Sequence, residues 1–303
     1  MADPMTMLVL NQSQAIPITV TMTAATNWTQ YIATAVIGLL SSMLIFIVLY
    51  APVIASKIGS RTLRKISKLT KRNVVMIKHT EQELFSQSMI NDQTLRDLTA
   101  VLNKMNGEPF DLILHTPGGE VFSSLSISRM LKQYPGKIRA VVPLYSMSGG
   151  SLLALSCNEI AMTKNACLGP IDPQLGNLFK YGSAKSWDHI VKYKGKKAED
   201  QSISFAMTGM QYTKSIRNHL NKVMDFGMST KQRTRFADFL TDGSIEHAFP
   251  LTPGDLGKFG VKVDVIENTK MLKILSKLVT SNRGEGVTYY KMKRGLFRYG
   301  KFR

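Results

Sequence analysis

The fold of this 303-residue chain is decided by two glycine turns, His115-Thr-Pro-Gly-Gly119 and Ser146-Met-Ser-Gly-Gly150. Each turn follows a short apolar run, and the helix-capable run Ser151-Leu-Leu-Ala-Leu155 follows the second. A serine between a strand and a helix lies where backbone N–H groups point outward and the helix dipole favours negative charge. A nucleophilic oxygen and its tetrahedral oxyanion require such surroundings. The pattern predicts a serine hydrolase with Ser148 as the nucleophile, and a serine that only caps the helix is the alternative.

The segments around these turns alternate between strand-like and helix-like patterns. Alternating strands and helices indicate an α/β domain with a mainly parallel sheet and right-handed crossovers. In such sheets, sites gather at the carboxyl ends of strands, where both glycine turns fall. Strands are predicted at 74–78, 111–114, 137–142, 159–162 and 261–266, and helices at 91–105, 121–133, after Ser148, at 202–223 and at 231–240.

The N-terminal part of the chain predicts a membrane anchor. No charged residue lies between Asp3 and Lys57, and the apolar run at 31–56 exceeds the roughly 20 residues that a helix needs to cross a bilayer. Seven basic residues and no acidic residue follow, from Lys57 to Arg72. By the positive-inside rule, the polar tail at 1–30 is expected outside and the catalytic domain in the cytoplasm. A buried core helix is the alternative.

The distribution of charged residues divides the rest of the chain into three segments. A basic juxtamembrane segment at 57–72 precedes a peptidase-sized domain at 73–268, and a basic tail at 269–303 carries a net charge of +9. Charge at both ends of the soluble part is expected to attract anionic membrane lipid. Aromatic residues interleave with the basic tail, so RNA contact is the alternative, although nucleic acid is not the expected partner.

Cysteine and glycine usage excludes several classes of protein. Cys157 and Cys167 are too few for a disulfide scaffold, and both lie in apolar surroundings typical of buried thiols in a reducing compartment. No Cys/His cluster has metal-ligand spacing, and no glycine-rich loop matches a phosphate-binding pattern. The sequence therefore predicts neither a metal nor a cofactor.

Three ordered blocks of the chain resemble the signature blocks of the serine dehydrogenase proteinase family. They are Leu112-Ile-Leu-His-Thr-Pro-Gly-Gly119, Val142-Pro-Leu-Tyr-Ser-Met-Ser-Gly-Gly150 and Leu168-Gly-Pro-Ile-Asp-Pro-Gln174. The resemblance, which covers roughly residues 64–263, implies a membrane-anchored serine peptidase of the ClpP/crotonase fold. Signal peptide peptidase A and the Clp proteolytic subunit are related to this family, so a homo-oligomer acting on a peptide or membrane-protein substrate is expected. The chain departs from the family at Pro143-Leu-Tyr-Ser146, which lacks a histidine that the family has there.

The resemblance also implies a role for particular residues. The family orders its triad as Ser, Asp, His, which assigns Asp172 and His247 to Ser148. A neutral His247 takes the serine proton, and Asp172 fixes the tautomer of the imidazole. The oxyanion hole is implied to come from the backbone amides of Gly118, Gly119 and Gly149. Surface or satisfied side chains are expected for the other histidines, His79, His115, His189 and His219.

Three alternatives stay open. A Ser/Lys dyad, as in signal peptide peptidases, needs a lysine that burial makes neutral near pH 7. A crotonase-type acyl-CoA enzyme uses paired amides without a serine nucleophile, and an inactive membrane scaffold keeps the fold alone. The serine turn and the predicted anchor favour the peptidase. The candidate lysines are Lys192, Lys194, Lys196, Lys197 and Lys214, of which the first four form a run typical of a solvated segment.

Overall fold

The computed structural model describes residues 24–80, 88–177, 180–281, 286–292 and 298–301. It divides into an N-terminal unit that ends at Ile54 and a second unit that begins at Ala55. Most of the predicted polar tail, residues 1–23, lies outside the described residues.

The N-terminal unit contains the first part of helix α1, Ala24–Thr70. Large apolar side chains of this helix are exposed from Trp28 to Phe46. The sequence predicts a transmembrane helix at 31–56, but among the residues that the structure describes no helix is long and apolar enough to cross a membrane.

The second unit is built around a mixed β-sheet. Five of its strands run parallel, and the two at one edge are antiparallel to their neighbours. The prediction of an α/β fold with a mainly parallel sheet is confirmed. The strands are β1 Asn73–Lys78, β2 Phe110–His115, β3 Ile138–Val142, β4 Tyr145–Ser146, β5 Glu159–Met162, β6 Cys167–Leu168, β7 Gln174–Gly176, β8 Tyr181–Ser183, β9 Val263–Val265, β10 Gly286–Lys291 and β11 Arg298–Lys301. In the described part of the chain, the main sheet has the order β11-β10-β1-β2-β3-β5-β9, while β4 pairs with β6 and β7 with β8.

Helices cover both faces of this sheet. Because successive side chains of a strand point to opposite faces, the parallel strands contribute to two separate cores. Ile77 and Leu112 belong to the core that contains residues of α2, α3, α4, α6 and α7, whereas Met76 and Ile113 belong to the other. The helices after α1 are α2 Asp92–Met105, α3 Val121–Gln133, α4 Gly149–Leu155, α5 Ala184–Lys194, α6 Asp200–Val223, α7 Thr230–Thr241, α8 Pro253–Lys258 and α9 Thr269–Val279.

The second core includes segments from outside the predicted domain at 73–268. Leu63 at the end of α1 and Leu275 of α9 are both buried in it. Residues 269–301, assigned to a basic tail on charge alone, supply α9 and the two antiparallel strands. Because the lysines of α9 alternate with an apolar face that is buried, a high net charge is compatible with a packed helix.

Candidate active site

Ser148 lies in a sharp turn between β4 and α4. Its backbone has φ 48° and ψ −118°, a combination that residues other than glycine rarely adopt. The Met147 N–H donates to the Thr116 carbonyl at 2.9 Å, and the Gly150 N–H donates to the Met147 carbonyl at 2.7 Å. A serine held in a strained strand-to-helix turn is the arrangement that exposes the nucleophile of many hydrolases.

The first glycine turn passes so close to this serine that no side chain fits between them. A Cβ atom on Gly118 would lie 2.8 Å from the Ser148 Cβ, and Gly118 also has a φ of 113°. A Cβ atom on Gly119 would clash with the carbonyl oxygen of Ile90. Glycine is therefore required at both positions, at Gly118 for conformation and space and at Gly119 for space.

Two glycines of the turns, Gly119 and Gly149, lie close together and line the same cavity. The Ile90 N–H donates to the Gly118 carbonyl at 2.8 Å. Because the Gly119 N–H shares a planar trans peptide group with that carbonyl, it points the opposite way. A Cβ atom on Gly149 would lie 3.5 Å from the Gly119 nitrogen. Within the described part of the chain neither the Gly119 nor the Gly149 amide donates to an acceptor, so the pair is available to an oxyanion.

Gly118 does not supply a third amide, which corrects the expectation from the sequence. Its N–H donates to the Thr116 Oγ1 atom at 3.2 Å. An amide that already has an acceptor is not available to an oxyanion. Gly118 contributes its conformation and its lack of a side chain beside Ser148.

Asp172 and His247 are joined by a hydrogen bond although they lie 75 positions apart. The His247 Nδ1 atom is 2.7 Å from the Asp172 Oδ1 atom. The Asp172 side chain is 3% exposed, and its Oδ2 atom accepts a hydrogen bond from Gln174 Nε2 at 2.7 Å. When His247 donates from Nδ1 to this carboxylate, its Nε2 atom is left as an acceptor for a proton.

His247 is placed by a loop that follows α7. The Leu168 N–H donates to the Leu251 carbonyl at 3.0 Å, and the Leu251 N–H donates back at 2.8 Å. This two-way bridge ties the loop to the chain just before Asp172. The His247 side chain remains 35% exposed.

One cavity of about 580 Å³ brings the predicted site residues together. Ser148, Asp172 and His247 all line it, as do Gly119 and Gly149. Its other walls carry both apolar and polar side chains. The apolar ones are Met89, Pro117, Val121, Leu125, Leu152, Ile171, Pro173 and Ile216, and the polar ones are Ser88, Glu120, Ser124, Gln174 and Tyr181.

The candidate lysines lie elsewhere. All five are exposed, and none of them lines the cavity. Lys192 pairs with Asp188 at 2.6 Å, and Lys194 pairs with Glu199 at 3.8 Å. None of them has the buried surroundings that a Ser/Lys dyad requires.

The other histidines take no part in the cavity lining. His189 is exposed, and His219 is buried with its Nε2 atom 2.7 Å from the Ser128 hydroxyl. His115 packs against the Tyr145 ring, with 4.3 Å between ring centroids, and its Nδ1 atom has no partner among the described residues. Burial is the main cause that lowers the pKa of His79, His115 and His219 to about 4.

Sequence reasoning missed two residues that position the site. Gln174 lies inside a recognised block, and an amide two positions after a catalytic carboxylate is a signal for a hydrogen bond to it. Ile90 gave no signal, because its contact with the first glycine turn is made by backbone atoms.

A strained serine, paired free amides and a His–Asp pair that line one cavity are the components of a candidate serine hydrolase site. A model of the ClpP-like SDH-type serine proteinase family matches residues 28–290. The chain belongs to this family, and the resemblance seen in the sequence is confirmed.

Two relatives come from Methanocaldococcus jannaschii, and both are uncharacterized proteins. The first is 31% identical over 264 residues, which cover 82% of this chain and 91% of the relative. The second is 29% identical over 221 residues, which cover 71% of this chain and 74% of the relative.

Two solved structures are similar to part of this chain. A variant of a membrane-bound stomatin-specific protease has 17% identity and a TM-score of 0.43, with 61% of this chain and 79% of that chain covered. ClpP1 from Listeria monocytogenes has 18% identity and a TM-score of 0.41, with 68% of this chain and 98% of that chain covered.

Proposed function

We propose that this protein is a membrane-anchored serine endopeptidase that cleaves membrane-associated proteins or peptides through an acyl-enzyme on Ser148. The observation that carries the proposal is the meeting of three features in one cavity: the strained serine, the free Gly119 and Gly149 amides, and the His247–Asp172 pair. Membership of a serine proteinase family supports the same reaction class.

The proposed reaction begins when Ser148 Oγ attacks the carbonyl carbon of the substrate and His247 Nε2 takes the hydroxyl proton. The carbonyl electron pair moves to oxygen, and the amides of Gly119 and Gly149 stabilise that charge. Collapse expels the amine, which receives the proton from His247, and leaves the acyl-enzyme. Water then attacks the ester while His247 takes its proton, and Ser148 leaves with that proton. Asp172 holds the tautomer throughout and stabilises the imidazolium.

Labelling with a fluorophosphonate probe tests the nucleophile. We expect the unaltered protein to be labelled and Ser148→Ala to lose labelling, because the probe reacts with an activated serine. Ser146→Ala is the matched control, since this buried serine lies in the same turn and its hydroxyl has no partner among the described residues. Labelling that survives Ser148→Ala would contradict the proposal.

Two alternative activities have less support. A Ser/Lys dyad needs a lysine near Ser148, and the five candidates are exposed and outside the cavity. An acyl-CoA enzyme has no use for a histidine held by a buried carboxylate opposite a strained serine. The His247–Asp172 pair therefore favours hydrolysis through a triad.

We also propose that residues 31–56 anchor the protein in a membrane, with the domain from Lys57 onward in the cytoplasm. The uncharged apolar run and the seven basic residues that follow it support this arrangement. Carbonate extraction should leave the full chain in the membrane, and protease should digest the domain in inside-out vesicles. Release by carbonate would contradict the anchor, and protection of the domain would contradict the orientation.

Self-association belongs to the same proposal. Ile203, Met207 and Met210 form an exposed apolar stripe on α6, a type of surface that often marks a protein interface. Analytical ultracentrifugation of the purified chain measures the assembly. A monomer at micromolar concentration would contradict a homo-oligomer.

A further inference from the structure

Thr116 links the two glycine turns through all of its polar groups. Its N–H donates to the Tyr145 carbonyl at 3.3 Å, and its carbonyl accepts from the Met147 N–H at 2.9 Å. Its hydroxyl accepts from the Gly118 N–H at 3.2 Å. Thr116 is fully buried, so these bonds do not compete with water. The residue therefore joins the turn that carries the nucleophile to the turn that carries the Gly119 amide.

The Thr116 hydroxyl also contacts the His79 ring. The His79 Nδ1 atom lies 3.0 Å from Thr116 Oγ1, and the histidine is 3% exposed. Burial lowers the pKa of His79 to about 4, so its ring is neutral near pH 7. One ring nitrogen of a neutral histidine is a donor and the other is an acceptor.

The surroundings of His79 favour the tautomer with the proton on Nε2. The Thr94 hydroxyl donates to Asn91 Oδ1 at 3.2 Å, which leaves its oxygen to accept from His79 Nε2 at 3.5 Å. In that tautomer the Nδ1 atom accepts the hydrogen of the Thr116 hydroxyl, whose oxygen is 3.0 Å from Nδ1 and 3.4 Å from the Gly118 carbonyl oxygen. That hydroxyl then presents its lone pairs to the Gly118 N–H, and a buried chain of bonds runs from α2 to the first glycine turn.

These hydrogen bonds fix the direction of the Gly119 N–H, which the proposed reaction needs. Thr116 holds the peptide group before Gly118, while Ile90 holds the peptide group after it through the Gly118 carbonyl. The Gly119 N–H belongs to that second group, and glycine would otherwise leave both groups free to rotate. With both groups held, the Gly119 amide stays aimed at the space beside Gly149.

We propose that Thr116 and His79 are positioning residues for the oxyanion hole, which hold the Gly119 amide where it stabilises the transition state. The proposal rests on the proposed function of Ser148 as nucleophile. The two residues act through Gly118 and contact no substrate, so they affect the rate of acylation and leave ground-state binding unchanged.

Fluorophosphonate labelling kinetics test this proposal, because they separate the maximal labelling rate from the half-saturating probe concentration. Thr116→Val removes the hydroxyl while keeping the shape, and we expect a roughly tenfold to hundredfold fall in the maximal rate. Deleting an oxyanion donor costs about 10²–10³-fold, and here the donor is loosened rather than lost. Thr116→Ser should restore the rate. His79→Leu should lower it, and His79→Asn, which keeps an acceptor near the Nδ1 position, should recover most of it.

Ser128→Ala is the matched control, because it breaks another buried hydroxyl–histidine contact, that with His219. We expect it to lower the melting temperature and leave the labelling kinetics unchanged. An unchanged rate in both Thr116→Val and His79→Leu would overturn the proposal. So would equal rate losses in Thr116→Val and Ser128→Ala at equal loss of melting temperature. If Ser148→Ala still labels, the proposed function fails instead.

Discussion

The two halves of the candidate site are held in different ways. Ser148 and the Gly119 amide lie in turns that are bound by short backbone hydrogen bonds and packed so closely that a Cβ atom does not fit. His247 lies on a partly exposed loop, which its hydrogen bond to Asp172 and the Leu168–Leu251 bridge join to a distant part of the chain. The sheet thus preorganises the proposed nucleophile and oxyanion hole, whereas the proposed base depends on contacts between distant parts of the chain.

Removal of the base should produce the largest effect on activity and a small effect on stability. We expect His247→Ala to lower the acylation rate by about 10⁴-fold or more, as the loss of a triad member does. Asp172→Asn should also be severely impaired, since the imidazole loses the carboxylate that holds its tautomer. Because the His247 side chain is partly exposed, the melting temperature of the His247→Ala protein should stay close to that of the unaltered protein. Labelling kinetics and thermal unfolding measure the two quantities.

The lysines supply the control for this experiment. Changing Lys192, Lys194, Lys196, Lys197 or Lys214 to Met should leave the rate nearly unchanged, because all five are exposed and outside the cavity. Full activity in His247→Ala, together with a loss of activity in one lysine variant, would contradict the triad and support a Ser/Lys dyad.

A change on the preorganised half should affect activity and stability together. In Gly119→Ala the added methyl group clashes with the Ile90 carbonyl, so the turn must move. We expect labelling to fall by about 10²–10³-fold, as when an oxyanion donor is lost, and the melting temperature to fall as well. Gly257→Ala is the control, because a Cβ atom there meets nothing within 4 Å. A Gly119→Ala protein with unchanged stability would show that this turn is softer than its packing implies.

The last prediction concerns the loss of stability in acid, which also comes from buried groups. Burial lowers the pKa of His79, His115 and His219 from an ordinary value of about 6.5 to about 4. Between these values the unfolded chain binds protons that the folded chain does not, so stability rises with pH and is lost as pH falls from 6.5 to 4. Urea unfolding at several pH values measures this slope, and His79→Asn should reduce it. Equal stability at pH 6.5 and pH 4.5 would contradict the prediction.

The parallel core and the serine turn were predictable because their signals are local. The helix Val121–Gln133 and the strand Glu159–Met162 have the bounds that apolar patterning predicts. Each buried strand is an apolar run, and each glycine turn follows one, so neighbouring residues carry the information. The pairing of Asp172 with His247 followed from family resemblance, since nothing local joins residues 75 positions apart.

What sequence reasoning missed depends on contacts between distant segments. Strand β10 pairs with β1 across more than 200 positions, and no local pattern specifies that partner. The α9 lysines were assigned to a basic tail that attracts anionic membrane lipid, because their charge masked the periodic apolar face. The occupied Gly118 amide depends on the direction of the Thr116 hydroxyl, which composition does not encode.

The position of β10 in the sheet has a consequence for biosynthesis. Strand β1 is among the first parts of the domain to leave the ribosome, yet one of its edges is paired only by residues 286–291. Before residues 286–291 are synthesised, every residue of the candidate site has already been translated. The nascent sheet still presents an unpaired edge of β1 to other chains. This edge of β1 is therefore covered only after residues 286–291 have been synthesised.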